Sequence, residues 1–314
     1  MNPAHSDRQL FVLLGGTAVG KSDVAVPLAL RLNAEIVCVD SMQVYRGMDI
    51  GTAKPPPNLR RRVPHHLLDL VDPCDSYDVS RFGAAAESVL DDLDARGRRA
   101  LLVAGTPLYL MRLLHGMFAG PSADPALRQR LRRRAADEGT AALHAELARV
   151  DPRAAERIHP NDLRRIERGL EVWLRTGIPI SHLQRQWEGQ PRHPFRAVGL
   201  RRAREDQSRR INARVRRMIS DGLIDEVRRL RAGPGGLSEP AQQAVGYAEI
   251  IAHLEGRLSL DDAIERIKIN TRRLAKHQRT WFRRIPGIEW MDAAPDDDSA
   301  DLAARCAERL AGIA

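Results

Sequence analysis

The 314-residue chain carries 50 Lys+Arg against 41 Asp+Glu, a formal charge of +9, and 43% of its residues are hydrophobic. That apolar share excludes a disordered chain, the length is ample for a sizeable core, and no run approaches the roughly 18 apolar residues a membrane helix needs. Cys38, Cys74 and Cys306 are too scattered for a disulfide framework or a zinc knuckle. The polar stretch Met1–Gln9 has no apolar signal region, so a cytoplasmic chain is expected.

In chain order, Leu10–Leu14 is a short apolar run followed at once by glycines, which predicts a buried strand. Lys21–Leu32 has helical spacing. Glu35–Val39 is a second strand, Ser80–Arg96 a helix and Ala100–Ala104 a third strand. Strands alternating with helices imply an α/β fold with a parallel sheet. From Asp124 the texture changes. Asp124–Ala136, Thr140–Val150, Pro152–Ile158 and Asp162–Arg175 read as successive helices broken by Gly, Pro and Asn, and no strand run returns until Ala197–Leu200. The expected organisation is a catalytic core of residues 1–121 and 197–314, interrupted by a helical insertion of residues 122–196. Gln207–Ala232 and Leu260–Arg284 read as long basic helices, with the GPGG at 233–236 after the first. The loop around Pro295–Ser299 precedes a last short helix.

The charge is unevenly spread. Residues 1–120 are net neutral, 121–232 carry +11, 233–265 carry −5, 266–284 carry +8 and 285–314 carry −5. Two basic blocks favour a polyanion-binding face, with solvated helix faces as the alternative.

Gly15-Gly16-Thr17-Ala18-Val19-Gly20-Lys21-Ser22 fits G-x-x-x-x-G-K-[ST] after a strand and at the start of a helix. Such a loop turns backbone amides around phosphate oxygens at a helix N-terminus, Lys21 adds a mobile positive charge, and Ser22 can ligand Mg²⁺. The third strand ends Ala104-Gly105-Thr106, without the metal-positioning Asp of a nucleotide hydrolase. An acid stands instead at the end of the second strand, Asp40. Active groups of open α/β sheets gather at the carboxyl ends of strands, so Lys21, Asp40 and Thr106 should converge on one crevice. Asp40 could equally cap the turn that follows it.

The segment Asp40–Pro55 (DSMQVYRGMDIGTAKP) resembles the tRNA dimethylallyltransferases, also called tRNA isopentenyltransferases. Further blocks match in order: Pro64-His65-His66-Leu67-Leu68-Asp69, Ala104-Gly105-Thr106-Pro107-Leu108-Tyr109, Ile158-His159-Pro160-Asn161-Asp162, Val245-Gly246-Tyr247 and the run Arg273–Arg283. The resemblance covers roughly residues 11–284. Three positions depart from it: Gly16 replaces the usual Pro, Ala104 the first Gly of G-G-T, and His277 an Arg. The first two should be benign, and the third alters one phosphate contact. No Cys/His finger follows the core, as in the bacterial form.

The resemblance implies a P-loop NTPase-like sheet core with an inserted all-helical domain and C-terminal basic helices. It implies transfer of a dimethylallyl group from dimethylallyl diphosphate to the exocyclic amine of adenosine 37 in tRNAs reading codons that start with U. Asp40 would be the general base. Lys21, Arg214, the loop Gly15–Ser22 and Mg²⁺ on Ser22 would stabilise the leaving diphosphate, and Thr106 would help hold base or diphosphate. The tRNA would be contacted by Asp40, Ser41, Met42, Gln43 and Thr106 at the target base. Arg128 and Arg164, Arg165, Ile166, Glu167 and Arg168 of the insertion would also contact it. So would Gln243, Ala244, Val245, Gly246, Tyr247 and Ala248, and then Lys276, His277, Gln278, Arg279, Thr280, Trp281, Phe282 and Arg283. His65, His66 and His159 read as structural. A monomer, a flipped target base and no membrane are expected. A metabolite kinase, an adenylate isopentenyltransferase and a non-catalytic tRNA-binding protein are the competing classes. None of them accounts for the DSMQVYRGMDIGTAKP segment, the helical insertion and the intact Lys21/Asp40/Thr106 set together.

Overall fold

A computed structural model of the chain describes residues 8–118, 120–184, 187 and 189–312. The start of the polar N-terminal stretch, through residue 7, lies outside them. Six strands form one sheet: β1 (Leu10–Gly15), β2 (Ala34–Val39), β3 (His65–His66), β4 (Arg99–Ala104), β5 (Phe195–Arg201) and β6 (Ile288–Asp292). Their order is β3-β2-β4-β1-β5-β6, and every pairing is parallel. β1 and β2 are buried at every position, as expected of strands covered on both faces. From β1 the chain moves out past β4 to β2, then returns across β1 to β5. The carboxyl ends of β1 and β4 therefore flank a topological switch point, where open α/β sheets place ligands.

Helix Lys21–Leu32 packs Val24, Ala25, Leu28, Ala29 and Leu32 onto one sheet face, together with Leu302, Ala303, Cys306 and Leu310 of helix Ser299–Ala311. The inserted unit runs from His115 to Pro191. It begins earlier and ends earlier than residues 122–196. Phe195 already belongs to β5, and the Arg192 N–H bonds the Leu114 carbonyl at 2.6 Å, closing the entry and exit strands of chain. Within it, helices Pro125–Glu138, Thr140–Val150 and Leu163–Thr176 enclose their own core of Leu127, Leu131, Leu143, Leu147, Ile166 and Leu170. Asp124 and Asp162, which the sequence placed at helix starts, are N-caps whose carboxylates accept the Leu127 and Arg165 amides. The segment at Pro152 is helical only through Ala155.

Several elements escape the sequence pattern, β3 and the short helices Pro57–Arg60, Ile180–Leu183 and Glu239–Gln242 among them. β6 is a half-exposed edge strand with no apolar run. Helix Pro107–His115 follows the third strand after Gly105-Thr106, and helix Tyr247–Leu254 opens after Gly246. The basic stretch Gln207–Ala232 is two helices, Arg204–Ser220 and Leu223–Ala232. Gly222 separates them at φ 98°, a left-handed conformation that an L side chain adopts only at a cost. A Cβ added there would meet nothing within 4 Å, so the requirement is conformational and not steric. Gly222→Ala should accordingly lower the unfolding free energy by about 1–2 kcal/mol, and Gly222→Asn by less, in urea titrations. Equal stability of all three proteins would show that the break has another cause.

Candidate active site

The phosphate loop folds as its residue types dictate. Gly20 sits at φ 104°, and Ala18 is held left-handed at φ 63°, a strained conformation of the kind that collects at functional sites. Lys21 opens the following helix and bends back, donating to the carbonyls of Gly15 at 2.8 Å and Gly16 at 3.0 Å. The next three loop carbonyls are also taken by side chains: Thr17 by Gln207 Nε2 (2.8 Å), Ala18 by Arg210 Nε (3.0 Å) and Val19 by Arg202 Nε (2.9 Å).

A cavity at the strand ends is lined by Thr17, Gly20, Lys21, Ser22, Asp40, Gln43, Arg214 and Gln278, with Ile36, Cys38 and Val103 as its apolar floor. Lys21, Asp40 and Arg214 are thus brought together. Burial lowers the Lys21 ammonium to about 8, the Arg214 charge pushes it the same way, and Asp40 opposes them. Burial also lowers the Arg214 guanidinium, whose Nη1 donates to Thr17 Oγ1 at 3.3 Å. Asp40 takes the capping position its sequence allowed. Its Oδ1 accepts the Met42 amide at 2.8 Å and the Gln43 amide at 3.2 Å, capping the turn. A Cβ built on Gly105 would lie 3.1 Å from Oδ2, so the second oxygen stands over the end of β4. Thr106 stands one step back: its Oγ1 accepts the Ser41 amide at 3.1 Å and so braces the Asp40 turn.

Segment 43–55 is held as a rigid wall. Gln43 Nε2 donates to the Thr52 carbonyl at 3.1 Å. Lys54, with no exposed side-chain surface, bonds the Tyr45 carbonyl, Asp49 and Asp69. Glu226, only 2% exposed, accepts the amides of Asp49, Ile50 and Gly51 and the Tyr247 hydroxyl. None of Lys54, Glu226, Gln207, Arg202 or Arg210 was singled out from sequence. Gln207, Arg210 and Arg214 share the spacing i, i+3, i+7, a helix face that periodicity could have flagged.

The expected tRNA-contacting residues divide by exposure. Lys276, His277, Thr280 and Arg283 are exposed along helix Leu260–Phe282, and Arg164 and Arg165 along Leu163–Thr176. Gln243 is exposed, while Ser41, Met42, Val245, Ala248, Arg279 and Trp281 are half-buried. Ile166, Glu167, Ala244, Gly246, Tyr247, Gln278 and Phe282 are buried, Gln278 against the cavity. Arg128 and Arg168 both bond Glu171, at 2.8 and 2.5 Å. Burial would raise the Glu171 carboxyl, but Arg128, the Asp124 amide and Arg168 together hold it at about 2.

Residues 43–285 match the IPP transferase family, and residues 8–63 match the isopentenyl transferase family. The chain is 46% identical over 300 residues to a tRNA dimethylallyltransferase of Geobacter sulfurreducens, covering 95% of this chain and 96% of that one. Among solved structures it is similar to the full-length tRNA isopentenylpyrophosphate transferase of Bacillus halodurans, with 38% identity, a TM-score of 0.70 and 98% of both chains covered. It is also similar to a eukaryotic dimethylallyltransferase acting on tRNA, with 28% identity and a TM-score of 0.78, covering 97% of this chain and 77% of that one.

The lowered Lys21 pKa has a consequence for anion binding. The ammonium is charged below about 8 and loses its proton above it. An alkyl diphosphate, whose own charge is constant in this range, should therefore bind more weakly as pH rises from 7 to 9.5, with proton uptake on binding near pH 8.5. Calorimetry in buffers of different ionisation enthalpy measures both quantities, and Lys21→Met should remove both. Binding that is level across this range would exclude Lys21 as the titrating contact.

Proposed function

Because the chain belongs to the IPP transferase family, we propose that the crevice at the strand ends takes dimethylallyl diphosphate in its phosphate loop and adenosine 37 of tRNA beside Asp40. The enzyme is a tRNA dimethylallyltransferase. It transfers the dimethylallyl group to the exocyclic amine of that adenosine, in tRNAs reading codons that start with U. The observation that carries the assignment of roles is the meeting of Lys21, Arg214 and Asp40 on one cavity.

In the reaction the bond between the allylic carbon and the diphosphate oxygen breaks, and a bond from the same carbon to the adenine amine forms. The electron pair of the broken bond leaves with diphosphate. The amine proton goes to Asp40, which lines the cavity and whose Oδ1 is fixed by two amides while Oδ2 lies beside Gly105. The amine is a weak nucleophile, since its lone pair is delocalised into the ring, and this makes removal of its proton worth catalysing. Negative charge grows on the diphosphate as the bond breaks. The loop amides, Lys21 and Arg214 meet it there in a partly buried site where such contacts are strong.

Mg²⁺ fits this arrangement. Ser22 lines the cavity and could offer its hydroxyl there, and a hard cation that keeps its waters and binds phosphate oxygens needs little more from the protein. Among the described residues no acidic cluster offers a metal site independent of the diphosphate. When bound, the ion would neutralise part of the leaving group's charge. The exposed cations of helix Leu260–Phe282 supply a phosphate grip on the RNA. The protein acts as a monomer, and among the described residues no helix is long and apolar enough to cross a membrane.

The test of function is incubation with labelled dimethylallyl diphosphate, Mg²⁺ and an anticodon stem-loop. Label should enter RNA with adenosine at position 37 and not with guanosine. Transfer to free AMP in preference to RNA would move the enzyme to the adenylate-modifying class. Asp40→Asn should lower turnover by about 10²–10⁴-fold while RNA affinity changes less than about threefold. Unchanged turnover would remove Asp40 as the base. Lys276→Glu with Arg283→Glu should weaken RNA binding and flatten the slope of log K against log salt by about 0.7 for each phosphate no longer neutralised. An unaltered slope would assign that helix to structure.

A further inference from the structure

Thr17 is gripped at three atoms by three residues of the C-terminal half. Its N–H donates to Gln278 Oε1 at 2.8 Å, its carbonyl accepts from Gln207 Nε2 at 2.8 Å, and its hydroxyl faces Arg214. Gln278 uses its other end as well, donating from Nε2 to the Gly105 carbonyl at 2.7 Å. Gly105 is the residue over which Asp40 Oδ2 stands, and its own amide bonds the Val39 carbonyl just before Asp40. One buried side chain thus spans the two walls of the crevice, the loop after β1 and the turn after β4.

We propose that Gln278, assisted by Gln207, is a positioning residue that fixes the phosphate loop relative to Asp40. Its place is inside the fold and not on the RNA surface. The inference rests on the reading that this loop takes the donor diphosphate. The chemistry of the side chain supports it. An amide is the side chain that accepts one hydrogen bond and donates another at this reach without carrying charge. Glutamate would set a carboxylate oxygen against the Gly105 carbonyl. Lysine or arginine could not accept the Thr17 N–H. Either charge would also act on Lys21 in a site where Lys21 and Arg214 already supply the cations. With its N–H committed to Gln278, Thr17 lies outside the amide cradle, which begins at Ala18. The neighbouring residues of helix Leu260–Phe282 that could touch RNA, Lys276, His277 and Thr280, are exposed, whereas Gln278 is 9% exposed.

Five proteins test the proposal: wild type, Gln278→Met, Gln278→Glu, Gln207→Met and the double variant Gln207→Met/Gln278→Met. For each, the affinity for an alkyl diphosphate without RNA, the KM for donor, the affinity for an anticodon stem-loop and the thermal transition are measured. Gln278→Met should weaken alkyl diphosphate binding and raise donor KM by about tenfold, with RNA affinity within about twofold, and Gln278→Glu should be worse. The double variant Gln207→Met/Gln278→Met should be less than additive, because both side chains act through Thr17. Folded Gln278→Met that binds alkyl diphosphate like the wild type overturns the proposal. So does a tenfold loss of RNA affinity with donor binding intact, which would make Gln278 an RNA contact. If Gln278→Met does not fold, Gln207→Met decides alone: a loss of at least about threefold in alkyl diphosphate affinity supports the proposal, and none overturns it. Wild type that binds no alkyl diphosphate overturns the donor-site reading itself, a failure distinguishable from that of the clamp.

Discussion

A loop that offers its amides to an anion must turn its carbonyls the other way, and each carbonyl then needs a donor. In this protein the five consecutive carbonyls of residues 15–19 are all met by side chains: Lys21 for the first two, then Gln207, Arg210 and Arg202. Three of those donors come from beyond the insertion, about 190 residues away in sequence. The phosphate loop is therefore not a local motif that happens to precede a helix. Its shape is completed only when β5 and helix Arg204–Ser220 lie against β1, which makes the C-terminal half of the chain part of the donor site.

That dependence explains what could be read from the sequence. The loop, the parallel α/β core, the helical insertion and the crevice at the ends of β1, β2 and β4 are set by local patterns, and they were legible. Asp40 was legible as an acid at a strand end. Its division into a capping oxygen and one set beside Gly105 was not, because that depends on where Gly105 and Thr106 lie. Gln207 carries no charge and sits among arginines, so neither motif nor charge points to it, while Gln278 lies in the run Arg273–Arg283 that the resemblance assigned to RNA contact. Their helical spacing with Arg214 and with Phe282 puts them on inward faces, but which loop they meet is a tertiary fact.

The two basic blocks need revising for the same reason. A segment charge of +11 for residues 121–232 suggested a surface reserved for RNA. Yet Arg202 and Arg210 hold loop carbonyls, Arg214 lines the cavity, and Arg128 and Arg168 surround the buried Glu171. Arginine is well suited to such work, since its fork satisfies several acceptors at once and its stem packs well. Net charge counted along the chain thus overstates the charge available to a partner. One buried carboxylate is held without any cation. Glu226 lies among donors that carry no charge, three amides and the Tyr247 hydroxyl. It joins the segments DIGTAK and VGY into one wall, although the resemblance had assigned the second to RNA contact.

Residue 16 shows how closely the loop and its clamp are fitted. A Cβ at Gly16 would lie 3.1 Å from Gln207 Nε2 and 3.5 Å from the Ala275 carbonyl. The proline usual here in the resembling family would bring that carbon and fix φ, so the glutamine would have to give way by a few tenths of an ångström. With glycine the space is left to Gln207, and the loop loses the conformational restriction that proline imposes on the unfolded chain. What replaces that restriction is external: the three bonds on Thr17 immediately after it. A phosphate loop can be kept in shape from within, by a ring that fixes its dihedrals, or from outside, by side chains that hold its peptide groups. At this position the chain relies on the second, and the departure that looked neutral in sequence places more of the loop's order on the glutamine pair.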